Sequence, residues 1–271
     1  MMRSWPLRAG GAIVAGLLLV AATAPLLAPY DPSAQDVFSH SQPPTFAHWL
    51  GTDRLGRDTL SRMLYGGRVS LTVSVGAVCF GLATGVAAGL IAGFFGGFLD
   101  AAMMRIVDVL LAFPIYLLAI FVIAILGPSP VNTLLAIGVA SFPRFARLVR
   151  GDTRVQREAS YVEAARGIGA GDLRLMFVHV LPNILAPVIV TGSLLIGSAI
   201  LVEASLSFLG LGLPPPTPAW GLMVSDGLVS ILSAPWISIF PGLAITLAVL
   251  GFNMLGDGLR DALDPRFGDV R

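Results

Sequence analysis

The chain has 271 residues, 55% of them hydrophobic and 12% charged, with a mean hydropathy of +0.83 and a net charge of +1. A soluble domain carries about twice that share of charged residues, so the bilayer is the expected solvent. All 17 basic residues are arginine, which excludes a P-loop, whose lysine meets nucleotide phosphates, and Schiff-base catalysis, which needs a lysine amine. The single Cys79 has no partner for an internal disulfide, and His40, His48 and His179 are not spaced as zinc ligands on one helix.

Six apolar runs are long enough to cross a bilayer as helices, at roughly 9–29, 69–94, 104–127, 131–149, 182–210 and 236–257. Before the first lie Arg3 and Arg8, and Ala22-Thr23-Ala24 resembles a signal-peptidase site. The apolar run continues to Ala28, so residues 1–29 are read as a retained transmembrane helix. Residues 30–68 form a long polar connection in which Arg54, Arg57, Arg62 and Arg68 are matched by Asp31, Asp36, Asp53 and Asp58. Leu60, Met63 and Leu64 share a helical face there, which predicts a short helix lying on the membrane surface.

The second span carries Gly81, Gly85, Gly89, Gly93 and Gly97. Steps of four drift only about 40° each around a helix, and such a groove lets a second helix approach closely. Packing within this chain is favoured over a subunit interface. In the third span Pro114 predicts a kink, and Asp108 is placed to pair with Arg105. After the fourth span, Arg144, Arg147, Arg150, Arg154 and Arg157 fall within a ~140° arc of a continuous helix. Arg144 and Arg147 read as snorkelling to lipid head groups. Arg154 and Arg157 are expected to support the loop that follows, against an acidic partner surface.

That loop, about 151–181, is a polar island. A helix is predicted over 155–168, broken by Gly167, Gly169 and Gly171. Asp172 is expected to cap a second short helix over 173–181, and Pro182 to open the fifth span. Glu163 is placed to pair with Arg166 or with a cation on a partner. Near the end of the fifth span Glu203 lies among Ser198, Ser205 and Ser207; Pro214, Pro215, Pro216 and Pro218 then stop the helix. The stretch 219–232, with Asp226, reads as a re-entrant helix lining a protein cavity. Glu203 and Asp226 are each open to two readings, a structural hydrogen bond or a contact in a transport pathway.

Arginine counts set the expected orientation. With the N-terminus inside, 13 arginines fall on the cytoplasmic side and 4 outside. Both termini and the loop are therefore expected in the cytoplasm. The division that follows is a first transmembrane helix over 1–29, an outer segment over 30–68, a five-helix core over 69–259 and a cytoplasmic tail over 260–271.

Several motifs run through this frame. The loop reads Glu163-Ala-Ala-Arg-Gly-Ile-Gly169 and continues to His179-Val-Leu-Pro182-Asn183. The outer segment reads Gly51-Thr-Asp-Arg-Leu-Gly-Arg-Asp58. The fifth span ends Glu203-Ala-Ser-Leu-Ser-Phe-Leu-Gly-Leu-Gly212, and the C-terminus reads Gly256-Asp-Gly-Leu-Arg-Asp-Ala-Leu-Asp-Pro265. From about residue 25 to 271 the chain resembles the permease subunits of ABC-type importers, specifically the C-type subunit of the dipeptide, oligopeptide and nickel branch. That resemblance implies an all-α integral membrane protein of six helices with a type I importer fold. It implies that Glu163, Ala164, Ala165, Gly167 and Gly169 couple the chain to an ATPase. The implied partners are a homologous permease in a heterodimer, two ATPase subunits that hold ATP and Mg, and an extracytoplasmic solute-binding protein. The chain itself would bind no cofactor, metal or nucleic acid and catalyse nothing, and it would sit in a bacterial or archaeal cytoplasmic membrane. The substrate is expected to be a di- or oligopeptide, with nickel or another small solute as the alternative. An intramembrane hydrolase is disfavoured because no histidine lies in a span and no G-x-S-x-G occurs. An ion-driven transporter would more often show repeated halves, which are missing.

Overall fold

The computed structural model describes residues 5–263, which form helices and connecting loops without a named strand. In chain order the helices are α1 (Trp5–Ala22), α2 (Ala24–Leu27), α3 (Thr59–Phe95), α4 (Gly97–Leu111), α5 (Ile115–Leu126), α6 (Pro130–Arg157), α7 (Ser160–Gly167), α8 (Asp172–Arg174), α9 (Leu181–Phe208), α10 (Trp220–Leu228) and α11 (Trp236–Leu263). Arg3, Arg266, Arg271 and most of the 260–271 tail lie outside the described residues.

Four described helical stretches are long and apolar enough to cross a membrane: α1, α3, Asp172–Phe208 and α11. Helices α4 and α5 meet that requirement only together, bent by 95°. The bend is sharper than the kink expected at Pro114. Proline both lacks an N–H and drives the residue before it out of helical geometry, so Ala112 to Pro114 form a break. Helix α6 has 28 residues, and its second half carries the five arginines from Arg144 to Arg157.

Two expected boundaries are corrected. Leu60, Met63 and Leu64 belong to α3 and form no separate surface helix. Asp58 caps α3, its carboxylate accepting from the Ser61 N–H at 2.8 Å, and nothing in the following turns breaks the helix. At 37 residues α3 is about 55 Å long, well beyond the ~30 Å apolar core of a bilayer. Second, Pro182 opens no new helix. Helix α8 runs through a π-helical turn, Leu175–Val180, into α9. Proline at 182 donates no N–H, and the looser turn absorbs the missing bond. The Asn183 amide donates to the His179 carbonyl at 2.6 Å, so that acceptor is not left bare.

Helices α3 and α6 pack almost backbone to backbone. A side-chain carbon at Gly81, Gly85, Gly89 or Gly93 would stand 2.8 Å from the Gly138 carbonyl, 2.5 Å from Phe145 Cβ, 2.6 Å from the Ala146 carbonyl and 2.7 Å from the Arg150 carbonyl, respectively. The stripe thus advances four residues at a time on α3 while keeping α6 in van der Waals contact. Gly97 is not part of it: with φ +59 it starts α4 and meets nothing within 4 Å. Helix α1 lies on α11 through the same device, since a carbon at Gly251 would come 2.6 Å from Ile13. Three apolar clusters fill the interior. One joins α3, α5, α6 and α9, one joins α3, α6, α7 and α9 near the Arg-rich end, and one joins α1, α3, α9, α10 and α11.

Candidate coupling site and opposite charged cluster

Helix α7 is short because its ends are set locally. Ala159 is extended, and Gly169 takes φ +91, a left-handed geometry that closes the helix. The Gly169 N–H bonds the Arg166 carbonyl and the Ala170 N–H bonds the Ala165 carbonyl, each at 3.0 Å. These are the paired bonds of a Schellman terminus.

The helix has two unlike faces. Val162 and Ala165 are buried against Leu90, Phe94, Val149, Met176 and Ile184, which come from α3, α6, the π-helical turn and α9. Fully burying a valine there is worth about 1.5–3 kcal/mol. Tyr161 adds a polar tie, its hydroxyl donating to Gln156 Oε1 at 2.6 Å and to the His179 carbonyl at 3.3 Å. The other face, with Glu163, Ala164 and Gly167, is exposed, as is Gly169 beyond it. Ala164 and Ala165, adjacent in the motif, therefore point to different surroundings.

Glu163 makes no ion pair with Arg166 among the described residues. Asp172 is exposed and caps nothing; Gly171 occupies the N-cap position and Asp172 is the first residue of α8. Ile168 and Leu173 are 88% and 71% exposed at the tip. These two apolar side chains were not singled out from the sequence. Their signal in the sequence is a break in the polar character of the island, Ile168 between two glycines and Leu173 after Asp172.

The arginine ladder mostly ties α6 to α4 and α3. The Arg150 guanidinium grips Asp100 with two bonds, Nη2 donating at 2.6 Å. Arg147 pairs with Asp108, so Asp108 reaches across to α6 and not along its own helix to Arg105. Arg147 thus has a carboxylate partner, although its side chain stays 57% exposed. Arg157 donates to the Phe94 carbonyl at 2.7 Å, while Arg144 and Arg154 stay exposed. Arg154, Arg157, Asp100 and Glu158 line a small cavity of about 180 Å³ beside Gly93, Gly96 and Gly97.

At the opposite end the charges are buried. Asp53 accepts from Arg57 Nε at 2.6 Å and from the Leu55 and Arg57 N–H groups at 2.8 and 3.0 Å. Arg62 Nε lies 3.3 Å from the same carboxylate, and Arg62 Nη1 donates to the Pro32 carbonyl at 3.2 Å. Of the four aspartates counted against four arginines, only Asp53 meets an arginine among the described residues. Asp58 caps α3 and pairs with His48 at 2.9 Å, Asp36 caps the turn at Val37–Ser39, and Asp31 accepts from the Ser33 N–H. Asp36 is held below the usual carboxylate range by the Ser39 hydroxyl, with the Phe38 N–H adding to it. The other acid near Arg57 and Arg62 is Asp226, from α10. Helix α10 is held in place by Trp220. Its indole donates to the Met63 carbonyl at 3.0 Å and its ring lies against Gly67.

Glu203 is fully buried on α9. One carboxylate oxygen accepts from Ser207 at 2.7 Å; the other has no hydrogen-bond partner among the described residues. No hydrogen bond or ion pair joins Glu203 to Asp226 among the described residues.

Residues 85–269 match the family model described as the binding-protein-dependent transport system inner membrane component, and residues 3–44 match the N-terminal transmembrane domain of oligopeptide transport permease C. Among curated proteins, the glutathione transport system permease of Pectobacterium atrosepticum is 48% identical over 261 residues, covering 95% of this chain and 86% of the relative. The same permease of Salmonella typhimurium is 50% identical over 261 residues, covering 95% and 85%. That of Shigella flexneri is 50% identical over 253 residues, covering 92% and 83%.

Proposed function

Because the chain belongs to the family of binding-protein-dependent transport system inner membrane components, and is a multi-pass ABC importer permease and not an enzyme, we propose that it carries a small peptide inward through a pathway shared with a homologous permease. A glutathione-sized peptide fits best, because relatives at 48–50% identity are glutathione permeases. Both termini and α7 face the cytoplasm, and residues 30–58 with α10 face outward. Six crossings follow if α6 counts as one and α4 with α5 as another. Two ATPase subunits bind ATP and Mg inside, and a solute-binding protein delivers substrate outside.

The observation that carries the mechanism is the two-sided burial of α7. Its inner face is seated on residues of α3, α6 and α9, while Glu163, Ala164, Gly167, Ile168 and Leu173 are left exposed. A push on the exposed face therefore reaches three long helices at once. ATP binding closes the ATPase pair and drives that push, and hydrolysis releases it. Two packings of the same helices then alternate, and nucleotide must bind them unequally to shift the balance. Arg154 and Asp172, both exposed beside α7, help to set the docking position.

The test is uptake of labelled glutathione, and of a labelled dipeptide, into vesicles that contain the complete transporter. Uptake should require ATP and the binding protein and survive a protonophore. Uptake driven by an ion gradient without ATP would sink the reading.

A further inference from the structure

Arg57 and Arg62 border a cavity of about 290 Å³ together with Arg54, Asp53, Leu222 and Asp226. The two guanidiniums are almost completely buried, and Asp53 holds each only through Nε. A guanidinium has five N–H donors, so donors on both remain for another acceptor. Asp226 approaches their Nη2 atoms, at 3.7 Å from Arg57 and 4.0 Å from Arg62. Both distances are beyond hydrogen-bonding range. Asp226 is also 42% exposed, unlike Asp53. Three arginines face two aspartates in the lining, which leaves one positive charge in excess.

We propose that this cavity is a carboxylate-binding site, with Asp226 as its exchangeable counter-ion. An incoming carboxylate accepts from the Nη2 donors of both Arg57 and Arg62, two charge-assisted hydrogen bonds, and Asp226 turns to solvent. The space is small, about 290 Å³. It suits one acidic end of a ligand and not a whole oligopeptide. The carboxylate comes either from the transported peptide or from an acidic side chain of the docked binding protein. Because Asp226 lies on α10, which packs against α9 and α11, its release would loosen the α10 end of the bundle. The site rests on the outward orientation proposed above.

The experiment uses the complete transporter in nanodiscs without nucleotide. Phenylglyoxal labelling of exposed Arg54 is followed by mass spectrometry. Protectants are glutathione, glutathione with both carboxyl groups converted to amides, and the solute-binding protein. Slower labelling with glutathione but not with its bis-amide supports a site for the substrate carboxylate. Slower labelling with the binding protein alone, lost when its interface acids are changed to amides, supports the docked side chain. Equal protection by glutathione and bis-amide, or none from any protectant, overturns the proposal. Protection should also weaken as ionic strength rises from about 0.01 M to about 1 M, where the Debye length falls from ~30 to ~3 Å. Asp226→Asn should lower the half-protecting concentration about two- to fivefold, the worth of one partly exposed ion pair. An unchanged or higher value in an intact complex would remove Asp226 from the site. The wild-type measurements stand even where this variant fails to assemble. Since no ATP is used, a failure here leaves the import reading untouched, and a failure of uptake leaves the labelling result intact.

Discussion

At the Arg-rich end Arg144, Arg154 and Glu163 stay exposed, and the apolar side chains Ile168 and Leu173 stand out at the tip. At the opposite end Asp53, Arg57, Asp58 and Arg62 are buried, and even the indole N–H groups of Trp220 and Trp236 donate to carbonyls. One end leaves Glu163, Ile168 and Leu173 exposed on and beside the firmly seated α7. The other spends most of its charges on holding an irregular segment together and leaves a few donors facing a cavity. Exposed groups on a rigid base suit repeated docking by a soluble partner. A buried charge network suits a fixed wall, because each ion taken from water must be compensated in place.

This contrast is broken most severely at Asp53. Asp53→Ala leaves two buried guanidiniums without their shared carboxylate and should cost about 3–5 kcal/mol. The measurement is the thermal midpoint of the purified protein in detergent, and an unchanged midpoint would mean the network is not structural. Next comes Gly85→Leu, which forces side-chain atoms into Phe145 Cβ at the α3–α6 contact. Overpacking of this kind costs about 1–3 kcal/mol, so the variant should lose monodispersity on gel filtration.

Glu163→Arg tests the docking end. The protein should remain inserted with an unaltered midpoint, while uptake per ATP hydrolysed falls about tenfold, or about 1.4 kcal/mol of coupling. Wild-type uptake in reconstituted vesicles would remove Glu163 from the coupling surface. A leucine at Gly169 acts differently: its Cβ meets nothing within 4 Å but the residue must adopt φ +91, a strain of about 1–2 kcal/mol on α7.

The smallest effects separate two ion pairs of the same ladder. The Asp100 side chain is 10% exposed and the Asp108 side chain 54%. Asp100→Asn should cost about 1–2 kcal/mol because the charge-assisted fork on Arg150 is lost. Asp108→Asn should cost under about 0.5 kcal/mol, as exposed pairs usually do. Equal shifts in the two midpoints would mean burial does not grade these pairs.

Local pattern carried much of this into the sequence. The apolar runs, the glycine steps from Gly81 to Gly93, the proline after α4 and the E-A-A loop are all short-range signals. They depend on helix period, backbone propensity and the length needed to cross a bilayer. The partners of the charges were not legible. Arg150 finds Asp100, Arg147 finds Asp108, and Arg57 and Arg62 lie near Asp226, each across a long separation in the chain. The nearest opposite charge in sequence, Arg105 for Asp108, lost to one on a neighbouring helix. Helix period sets which residues share a face, but only the packing of α3 on α6 and α10 on α9 sets which faces meet. For the same reason the sequence by itself determined that the chain is a membrane-embedded helical permease with a polar E-A-A loop. Only the tertiary structure decided that α7 rests on three helices at once, that α8 flows through a π-helical turn into α9, and that two buried arginines share a cavity with Asp226. Those outcomes depend on contacts between distant segments, where geometry, and not composition, selects the partner.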